Sequence, residues 1–258
     1  MELNGAGVVI TGGGSGIGAA LARRFAGLGA RVVVNDIHPA GAESVAAEIG
    51  GLAVPGDAAS SDGASSLVAA AVAHLGAIDL FCANAGVGTG GGPEASDADW
   101  DLAWQVNVMA HVRAARALLP DWLERGKGHF LATVSAAGML TMLGAAPYSV
   151  TKHGALAFAE WMSITYGHRG ITVQALCPQG VRTPMLEASG ETGKIVLGAS
   201  AITTDVLADA VVKGLADGQF LILPHPEVAD YYTARASQPD RWLGGMRKIQ
   251  VQVEEAAK

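Results

Sequence analysis

A glycine-rich stretch at residues 8–18, Val-Val-Ile-Thr-Gly-Gly-Gly-Ser-Gly-Ile-Gly, constrains the fold of this chain most strongly. It joins an apolar run to an Ala-, Leu- and Arg-rich helical pattern at residues 19–28, which is typical of a strand that turns sharply into a helix. Gly12, Gly16 and Gly18 permit positive φ angles and close approach of the backbone to a ligand. Because a helix N-terminus also offers unpaired N–H groups to a pyrophosphate, the stretch is a candidate dinucleotide-binding loop.

Other glycine motifs do not fit this spacing. A P-loop requires a lysine after its last glycine, but Ala19 follows Gly18. Ile17 stands where a nucleophile elbow around Ser15 would need a glycine, and also where the strict Gly-x-Gly-x-x-Gly pattern from Gly12 would need one. The remaining pattern, Gly-x-x-x-Gly-x-Gly, on its own suits a tight turn without a ligand as well as a nucleotide loop.

Composition narrows the class of protein. Half of the 258 residues are hydrophobic and 16% are charged, so the chain can bury a sizeable core and suits a single domain over residues 1–258. The net charge is −7, from 17 Lys and Arg residues against 24 Asp and Glu residues, and no basic run occurs. These observations argue against a nucleic-acid partner.

The sequence also lacks the marks of a membrane protein or a metalloprotein. No apolar stretch is long enough to span a bilayer, and Glu2 and Asn4 stand where a signal peptide would be basic and then apolar. We therefore expect a cytoplasmic protein with no membrane partner. Cys82 and Cys177 fall in predicted buried strands without metal or disulfide spacing, and the histidines are scattered, so we expect core cysteines and no metal.

Strand and helix patterns alternate along the chain. Predicted strands after the first lie at residues 31–35, 52–54, 78–82, 130–134, 171–176 and 220–223. Predicted helices after the first lie at residues 40–49, 65–75, 99–123, 148–166 and 205–216, with a loop at 139–147, a looser stretch at 180–201 and a C-terminal extension at 225–258. This alternation predicts an α/β fold with one doubly wound parallel sheet of about seven strands and helices on both faces.

Polar and glycine positions follow the predicted strands. They are Gly12, Asp36, Asp57, Asn84, Ser135 and Pro178. Because ligands bind beyond the carboxyl ends of strands in such sheets, we expect these positions to gather at one edge. Asp36 lies about 20 residues beyond the glycine loop, where a ribose-binding carboxylate belongs in a nucleotide fold. It also suits an ordinary helix cap before Pro39.

Tyr148 and Lys152 lie four residues apart at the start of a predicted helix, so their side chains share one face. A lysine ammonium near a phenol favours the phenolate and lowers the tyrosine pKa towards working pH, as a general acid/base requires. Ser135, at a strand end, is placed to bind the same substrate oxygen. Taken alone, such a pair is more often an ordinary helix surface.

In combination, these motifs resemble those of the short-chain dehydrogenases/reductases with a Tyr-x-x-x-Lys site. The match covers residues 7–224. It includes, in order and at the family's spacing, Thr11-Gly-x-x-x-Gly-x-Gly18, Asp57, Asn84-Ala-Gly86, Asn107, Ser135 and Tyr148-Ser-Val-Thr-Lys152. The resemblance implies a Rossmann-type fold and an oxidoreductase that moves a hydride between NAD(H) and a secondary alcohol or ketone.

The resemblance also implies roles for individual residues. Tyr148 would exchange the hydroxyl proton, and Ser135 would orient the carbonyl. Lys152 would lower the tyrosine pKa and bind the nicotinamide ribose, and Asn107 would hold a water that relays protons. The implied cofactor contacts are Gly12, Ser15, Gly16, Ile17, Gly18, Asp36, Asp57, Ala58, Asn84, Ala85, Gly86, Tyr148, Lys152, Pro178, Gly180, Val181 and Thr183, with Asp57 at the adenine, 84–86 at the adenine ribose and Thr183 at the carboxamide.

The nicotinamide loop departs from the family pattern at one position. Where Pro-Gly is usual, this chain has Pro178-Gln179-Gly180, although Val181 and Thr183 stand where the family has them. At the other end of the cofactor, Asp36 predicts NAD in preference to NADP, because a 2′-phosphate would meet a carboxylate at close range.

Substrate and assembly are predicted less directly. Residues 185–201 contain several glycines between apolar residues and are interpreted as a mobile substrate lid without regular structure. An apolar pocket for a hydrophobic or cyclic alcohol is predicted from Met139, Leu140, Met142, Leu143, Met185, Leu186, Ile195, Val196 and Leu197, although ordinary core packing would also explain them.

The alternative function is a catalytically idle NAD-binding sensor or scaffold, which the fold also permits. The presence of Asn107, Ser135, Tyr148 and Lys152 together argues against it. By analogy with the family, the two long helices, with Trp residues and apolar stripes, predict a homotetramer or homodimer.

Overall fold

A computed structural model describes residues 1–256 and contains a parallel sheet of seven strands. The strands are β1 (Gly7–Ile10), β2 (Arg31–Val34), β3 (Leu52–Ala53), β4 (Leu80–Ala83), β5 (Gly128–Thr133), β6 (Ile171–Leu176) and β7 (Leu221–Ile222). Their order in the sheet is β3-β2-β1-β4-β5-β6-β7, and every neighbouring pair is parallel. The predicted doubly wound Rossmann-type fold is therefore confirmed.

One or more helices follow each strand, and every connection between consecutive strands contains at least one helix. They are α1 (Gly16–Gly27), α2 (Pro39–Ile49), α3 (Ser61–Leu75), α4 (Asp97–Trp104), α5 (Ala110–Arg125), α6 (Ala137–Leu140), α7 (Ala146–Tyr166), α8 (Pro184–Glu187), α9 (Gly190–Leu197), α10 (Thr204–Asp217), α11 (Glu227–Ser237) and α12 (Pro239–Ala256). Over the described part of the chain, none of them is both long and apolar enough to cross a membrane.

Helices cover both faces of the sheet, which explains why β1 and β4 are buried at every position and contain no polar side chain. Alternate residues of β1 point to opposite faces: Val9 belongs to one buried cluster, and Val8 and Ile10 belong to the other. The first cluster includes residues of α3, α5 and α7, and the second includes residues of α1, α2 and α10. Cys82 and Cys177 are buried free thiols in these clusters, as predicted.

The predicted helix at 99–123 is interrupted by a π turn, Gln105–Met109, which separates α4 from α5. Such turns insert one extra residue into a helix and are frequent at functional sites. Asn107, the polar residue in the apolar stripe, lies at the centre of this turn and is fully buried. The buried Asn107 amide is accommodated by hydrogen bonds to Val87 and Thr151.

One segment expected to be irregular is mostly helical, and another is non-helical over residues 141–145 with a helix at each end. The predicted loop at 139–147 contains the end of α6 and the first turn of α7, where Pro147 suits the start of a helix. The lid segment, 185–201, forms α8, α9 and a 3₁₀ turn, Gly198–Ser200. The expectation of irregular structure there was wrong. The Thr183 hydroxyl caps α8 by accepting a hydrogen bond from the Leu186 N–H group, and α9 packs against α12.

Candidate active site

The glycine loop lies between the end of β1 and the start of α1, at the carboxyl edge of the sheet. Gly12 and Gly16 have φ angles of +61° and +50°, which favour glycine. A Cβ atom on Gly18 would lie 2.1 Å from the Gly12 carbonyl oxygen, so α1 packs directly against the loop. The exposed Ser15 precedes the helix without capping it through its side chain. A helix N-terminus that follows a glycine loop in this way suits a pyrophosphate.

Thr11 and Asn84 connect the ends of β1, β4 and β5. The Thr11 hydroxyl accepts hydrogen bonds from the backbone N–H groups of Asn84 and Ala85, both at 3.0 Å. The Asn84 side chain donates back to the Thr11 carbonyl oxygen at 3.0 Å and accepts from the Thr133 hydroxyl at 3.1 Å. These bonds bring Gly12 and residues 84–86 together, as the strand ends predict. The positioning roles of Thr11 and Thr133 were not recognised from the sequence.

Asp36 connects the end of β2 to the glycine loop. Its buried carboxylate accepts hydrogen bonds from the N–H groups of Gly14, at 3.0 Å, and His38, at 2.9 Å. Helix α2 begins at Pro39, after His38 as its N-cap. Asp36 is therefore more than an ordinary cap, because it positions the loop that would lie against the cofactor. The Asp36 carbonyl oxygen also accepts from Gly56, which places Asp57 beside this region.

Asn107 holds the loop that follows β4. Its Oδ1 atom accepts from the Val87 N–H group at 2.9 Å, and its Nδ2 atom donates to the Val87 carbonyl oxygen at 3.0 Å and to the Thr151 hydroxyl at 3.1 Å. Both amide protons are thus used. A water bound by Asn107 would have to donate to one of its oxygens. The Thr151 contact, which links the π turn to α7, was missed because a threonine within a helix carries no distinctive signal.

Lys152 lies at the centre of the site. Its Nζ atom donates to the Thr133 carbonyl oxygen at 3.0 Å and lies 5.6 Å from the centre of the Tyr148 ring. Gly86 flanks this group, since a Cβ atom there would lie 3.4 Å from Nζ and 3.2 Å from Asn107 Oδ1. Burial lowers the pKa of Lys152 to about 8.

The pKa of Tyr148 differs from the sequence-based expectation. Burial of the phenol group raises this pKa, and the Ser135 hydroxyl lowers it only in part. The expected depression by Lys152 was therefore wrong in direction for the protein alone. Desolvation of the phenolate is the largest influence on this pKa, and the ammonium group of Lys152 is hydrogen-bonded to the Thr133 carbonyl oxygen.

Ser135 follows β5 with a φ angle of +141°, a region that favours glycine. Its hydroxyl accepts from the Ala137 N–H group at 3.1 Å and donates to the Pro178 carbonyl oxygen at 3.5 Å. Residues held in such sparsely populated conformations cluster at functional sites. The sequence does not reveal this strained backbone. Hydrogen bonds from the Ser135 hydroxyl and the Ala136 N–H group to the Pro178 carbonyl oxygen join this segment to the nicotinamide loop after β6.

The nicotinamide loop contacts the glycine loop. The Cγ2 atom of Thr183 would lie 3.3 Å from a Cβ atom on Gly16, while Val181 is buried and bridges to Ile202. The Thr183 hydroxyl donates to the Val181 carbonyl oxygen at 3.2 Å in addition to capping α8. Gly180 packs closely against the lid, since a Cβ atom there would lie 2.6 Å from the Leu197 carbonyl oxygen.

The predicted apolar pocket is only partly present. Met139 and Leu140 are buried in the core cluster beneath α7, so ordinary core packing is the correct interpretation for these two. Met185 is exposed, and its side chain lies against Gly88 in the loop after β4. Ile195 of the lid is also exposed. Met142, Leu143, Leu186, Val196 and Leu197 are half-buried, so the exposed apolar side chains of the predicted set lie on residues 185–201.

A buried histidine lies behind the loop after β4. His111 of α5 lines a cavity of about 10 Å³ together with Thr11, Ala58 and Ala85. Neither ring nitrogen of His111 has a hydrogen-bond partner among residues 1–256, and burial lowers its pKa to about 3. Over the same residues, no group of three or more His, Cys, Asp or Glu side chains is arranged to hold a metal ion.

This chain belongs to the short-chain dehydrogenase/reductase family, since residues 6–194 match the family model described as "short chain dehydrogenase". It is an oxidoreductase that acts on CH–OH groups with a nicotinamide cofactor. The glycine loop fits such a group, because added Cβ atoms at Gly12 and Gly18 would meet backbone atoms of the loop and of Ala85.

Particular relatives resemble the chain over most of its length. It is 34% identical to 1-deoxy-11-beta-hydroxypentalenate dehydrogenase of Streptomyces avermitilis, over 88% of this chain and 87% of that protein. It is 35% identical to 2,5-dichloro-2,5-cyclohexadiene-1,4-diol dehydrogenase of Sphingobium indicum, over 72% and 76%. A short chain dehydrogenase/reductase from Burkholderia phymatum, solved in complex with NAD, superposes with a TM-score of 0.84 at 25% identity, over 93% and 96% of the two chains.

Proposed function

We propose that this protein is an NAD-dependent dehydrogenase of hydrophobic or cyclic secondary alcohols. The observation that carries the proposal is the convergence of Ser135, Tyr148 and Lys152 beside the glycine loop. Bound NAD would supply the hydride acceptor, at nicotinamide C4. In alcohol oxidation the hydroxyl proton passes to Tyr148 and the carbinol hydrogen leaves as hydride, which gives a ketone. The same steps in reverse describe a reductase.

The residues around Tyr148 have distinct roles in this proposal. The Ser135 hydroxyl, which lowers the Tyr148 pKa in part, holds the substrate oxygen next to the phenol. Lys152 is positioned by Thr133 to bind the nicotinamide ribose, and its positive charge favours the phenolate once the pyridinium charge also lies nearby. Asn107 keeps the loop after β4 in place and offers an oxygen to a water that relays protons from Lys152.

NAD is proposed in preference to NADP because of the charge near the adenosine ribose. Asp36 carries a carboxylate at the end of β2, and its neighbours Gly14, Ile37 and His38 include no Lys or Arg. A 2′-phosphate at about 4 Å would be repelled by on the order of 4 kcal/mol at an effective dielectric near 20. The remaining proposed cofactor contacts are those named from the sequence, with Gly12, Ser15, Gly16, Ile17 and Gly18 at the pyrophosphate.

The substrate class rests on two observations. The relatives named above are dehydrogenases whose substrates are a hydroxypentalenate and a cyclohexadiene diol. In this chain, Met185 and Ile195 expose apolar side chains on the segment at 185–201, which we propose acts as the substrate lid. Neither of these two relatives supports the catalytically idle alternative, since each is named for a reaction.

Assembly as a homotetramer or homodimer is proposed from the surface of the long helices. Trp104 at the end of α4 and Trp161 and Ile164 on α7 are exposed, with Ile164 at 81%. Exposed apolar side chains of this size suit an interface between copies of the chain. A cytoplasmic location and the single-domain organisation stay predictions of the sequence.

The proposed function is tested by incubating the purified protein with NAD and a panel of alcohols, and with NADH and the matching ketones. Formation or loss of reduced nicotinamide is followed by its absorbance. We expect turnover of cyclic or hydrophobic secondary alcohols and little turnover of small charged ones. Binding of NAD without turnover of any alcohol or ketone would favour the idle alternative, and a preference for small charged substrates would contradict the proposed substrate class.

A further inference from the structure

His225 connects two segments that border the site. It precedes α11 and is only 3% exposed. Its Nδ1 atom lies 3.2 Å from the backbone nitrogen of Gln179, and its Nε2 atom lies 3.1 Å from the carbonyl oxygen of Ser200. Because Nδ1 accepts the Gln179 N–H hydrogen bond, the ring proton is on Nε2, which donates to Ser200. Both contacts are thus satisfied by the neutral ring in a single tautomer.

The residue held by Nδ1 is the one that departs from the family pattern. Gln179 replaces the usual glycine of the nicotinamide loop, and its side chain donates to the Glu227 carboxylate at 3.0 Å. Both its backbone and its side chain are therefore bound to the beginning of the C-terminal extension. The φ angle of Gln179 is not positive, so the backbone at this position does not require glycine and the loop accommodates a side chain.

The residue held by Nε2 ends the lid segment. Ser200 closes the 3₁₀ turn after α9, and the next residues return to the nicotinamide loop, where the Ile202 N–H group donates to the Gly180 carbonyl oxygen at 3.1 Å. The C-terminal extension also reaches the segment after Ser135, since Arg235 donates to the Met139 carbonyl oxygen. His225 is thus the buried side chain through which the extension holds both the cofactor side and the substrate side of the site.

We propose that His225 is a positioning residue with two separable effects. Its Nδ1 atom fixes the nicotinamide loop in the shape that binds NAD, and its Nε2 atom fixes the base of the lid and so the affinity for the alcohol. The assignment rests on the proposed function. It requires neither contact with the substrate nor a change in charge of the histidine.

Two isosteric variants separate the effects. His225→Asn places an amide oxygen near the position of Nδ1 and can accept from Gln179, but it does not reach Ser200. His225→Gln places an amide NH₂ group near the position of Nε2 and can donate to Ser200, but it offers no acceptor to Gln179. His168→Asn and His168→Gln, at an exposed position on the opposite side of β6, are the matched controls.

Three measurements are made on each full-length variant: hydrogen–deuterium exchange at the Gln179 amide and at residues 190–200, the Kd of NAD from intrinsic fluorescence, and the KM and kcat for the best alcohol. A lost hydrogen bond of about 1 kcal/mol corresponds to roughly a fivefold change. We expect His225→Gln to raise the NAD Kd and the Gln179 exchange rate at least about fivefold. His225→Asn should instead raise the alcohol KM and the exchange of residues 190–200 by about the same factor, with kcat little changed.

If both variants lose NAD affinity and alcohol affinity to the same extent, as general destabilisation would cause, the proposal is overturned. It is also overturned if the His225 variants give the same values as the His168 controls. If wild-type protein binds NAD and oxidises alcohols while the His225 variants match it, only the His225 assignment fails. If the wild type binds no NAD, both the proposed function and this assignment are overturned.

Discussion

The ammonium group of Lys152 lies 5.6 Å from the centre of the Tyr148 ring, over the ring and one turn further along α7. In the proposed mechanism, Lys152 binds the cofactor while Tyr148 exchanges a proton with the substrate. Tyr148→Phe should therefore leave NAD binding nearly intact and lower kcat by about a hundredfold or more, because only the proton-transfer group is lost. Steady-state kinetics and NAD titration check this. A kcat near that of the wild type would contradict the mechanism.

The rate of alcohol oxidation should rise with pH. Oxidation requires deprotonated Tyr148, and because burial raises the pKa of this phenol, kcat/KM should still be increasing in the alkaline range. Ketone reduction, which requires the protonated phenol, should fall over the same range. Ser135→Ala removes the hydroxyl that lowers the Tyr148 pKa, so it should move both pH profiles to higher pH as well as lower the rate. Unshifted profiles in Ser135→Ala would separate Ser135 from the titration of Tyr148.

Cofactor preference should depend on the charge of Asp36. We expect the wild type to favour NAD over NADP by at least about a hundredfold in kcat/KM, given like-charge repulsion of several kcal/mol. Asp36→Asn retains an acceptor for the Gly14 N–H group but removes the charge, so it should narrow the preference without disordering the loop. Asp36→Ala should narrow it too, and should also weaken NAD binding. Comparable values for the two cofactors in the wild type would place Asp36 outside the ribose site.

Gly18 and Gly27 both lie in α1 but differ in the space available to a side chain, so they provide a test variant and its control. An alanine Cβ at Gly18 would lie 2.1 Å from the Gly12 carbonyl oxygen and 2.7 Å from Asn84 Nδ2, whereas at Gly27 no atom lies within 4 Å. Gly18→Ala should therefore displace the loop and weaken NAD binding by about tenfold or more, through a loss exceeding about 1.4 kcal/mol. Gly27→Ala should keep NAD affinity and raise Tm slightly, because alanine is the better helix former. Equal NAD affinity in the two variants would contradict the proposal that the glycine loop binds the pyrophosphate of the cofactor.

His111 should make the protein sensitive to acid. Its pKa is about 3 in the folded chain and about 6.5 when unfolded, so between these values the unfolded chain binds the additional proton. The free energy of unfolding should therefore fall by about 1.4 kcal/mol per pH unit from this group as pH drops below about 6.5. His111→Leu should make the free energy of unfolding less dependent on pH. Denaturant titrations between about pH 7 and about pH 4, a range that lies largely between the two pKa values, check this. Substitution of the exposed His74 by Leu is the control and should leave the slope unchanged.

The sequence predicts the sheet well because alternation and apolar strands are local signals. The strand-end positions also come together as predicted, from Gly12 beside Ala85 to Ser135 beside Pro178. Other properties depend on tertiary surroundings that no local pattern carries. The positive φ angle of Ser135 and the raised pKa of Tyr148 arise only when β5, β6 and α7 pack together.

In the segment at residues 185–201, the local sequence and the tertiary contacts favour different structures. Its glycines suggested irregular backbone, whereas the cap at Thr183 and the contacts of α9 with α12 favour helices. The role of Gln179 was likewise hidden, because its partners His225 and Glu227 lie more than 40 residues away, at separations of 46 and 48 positions.

The π turn at Gln105–Met109 changes the direction, around the helix axis, in which the side chains that follow it point. Each residue of an α-helix advances the direction of its side chain by about 100°, so one inserted residue turns the face of α5 away from that of α4. As a result α4 packs on α7 while α5 packs on α3. A one-residue deletion in this turn would align the two faces and swing Asn107 away from Val87. The same insertion thus decides both which neighbour each half of the helix meets and whether the asparagine reaches the site.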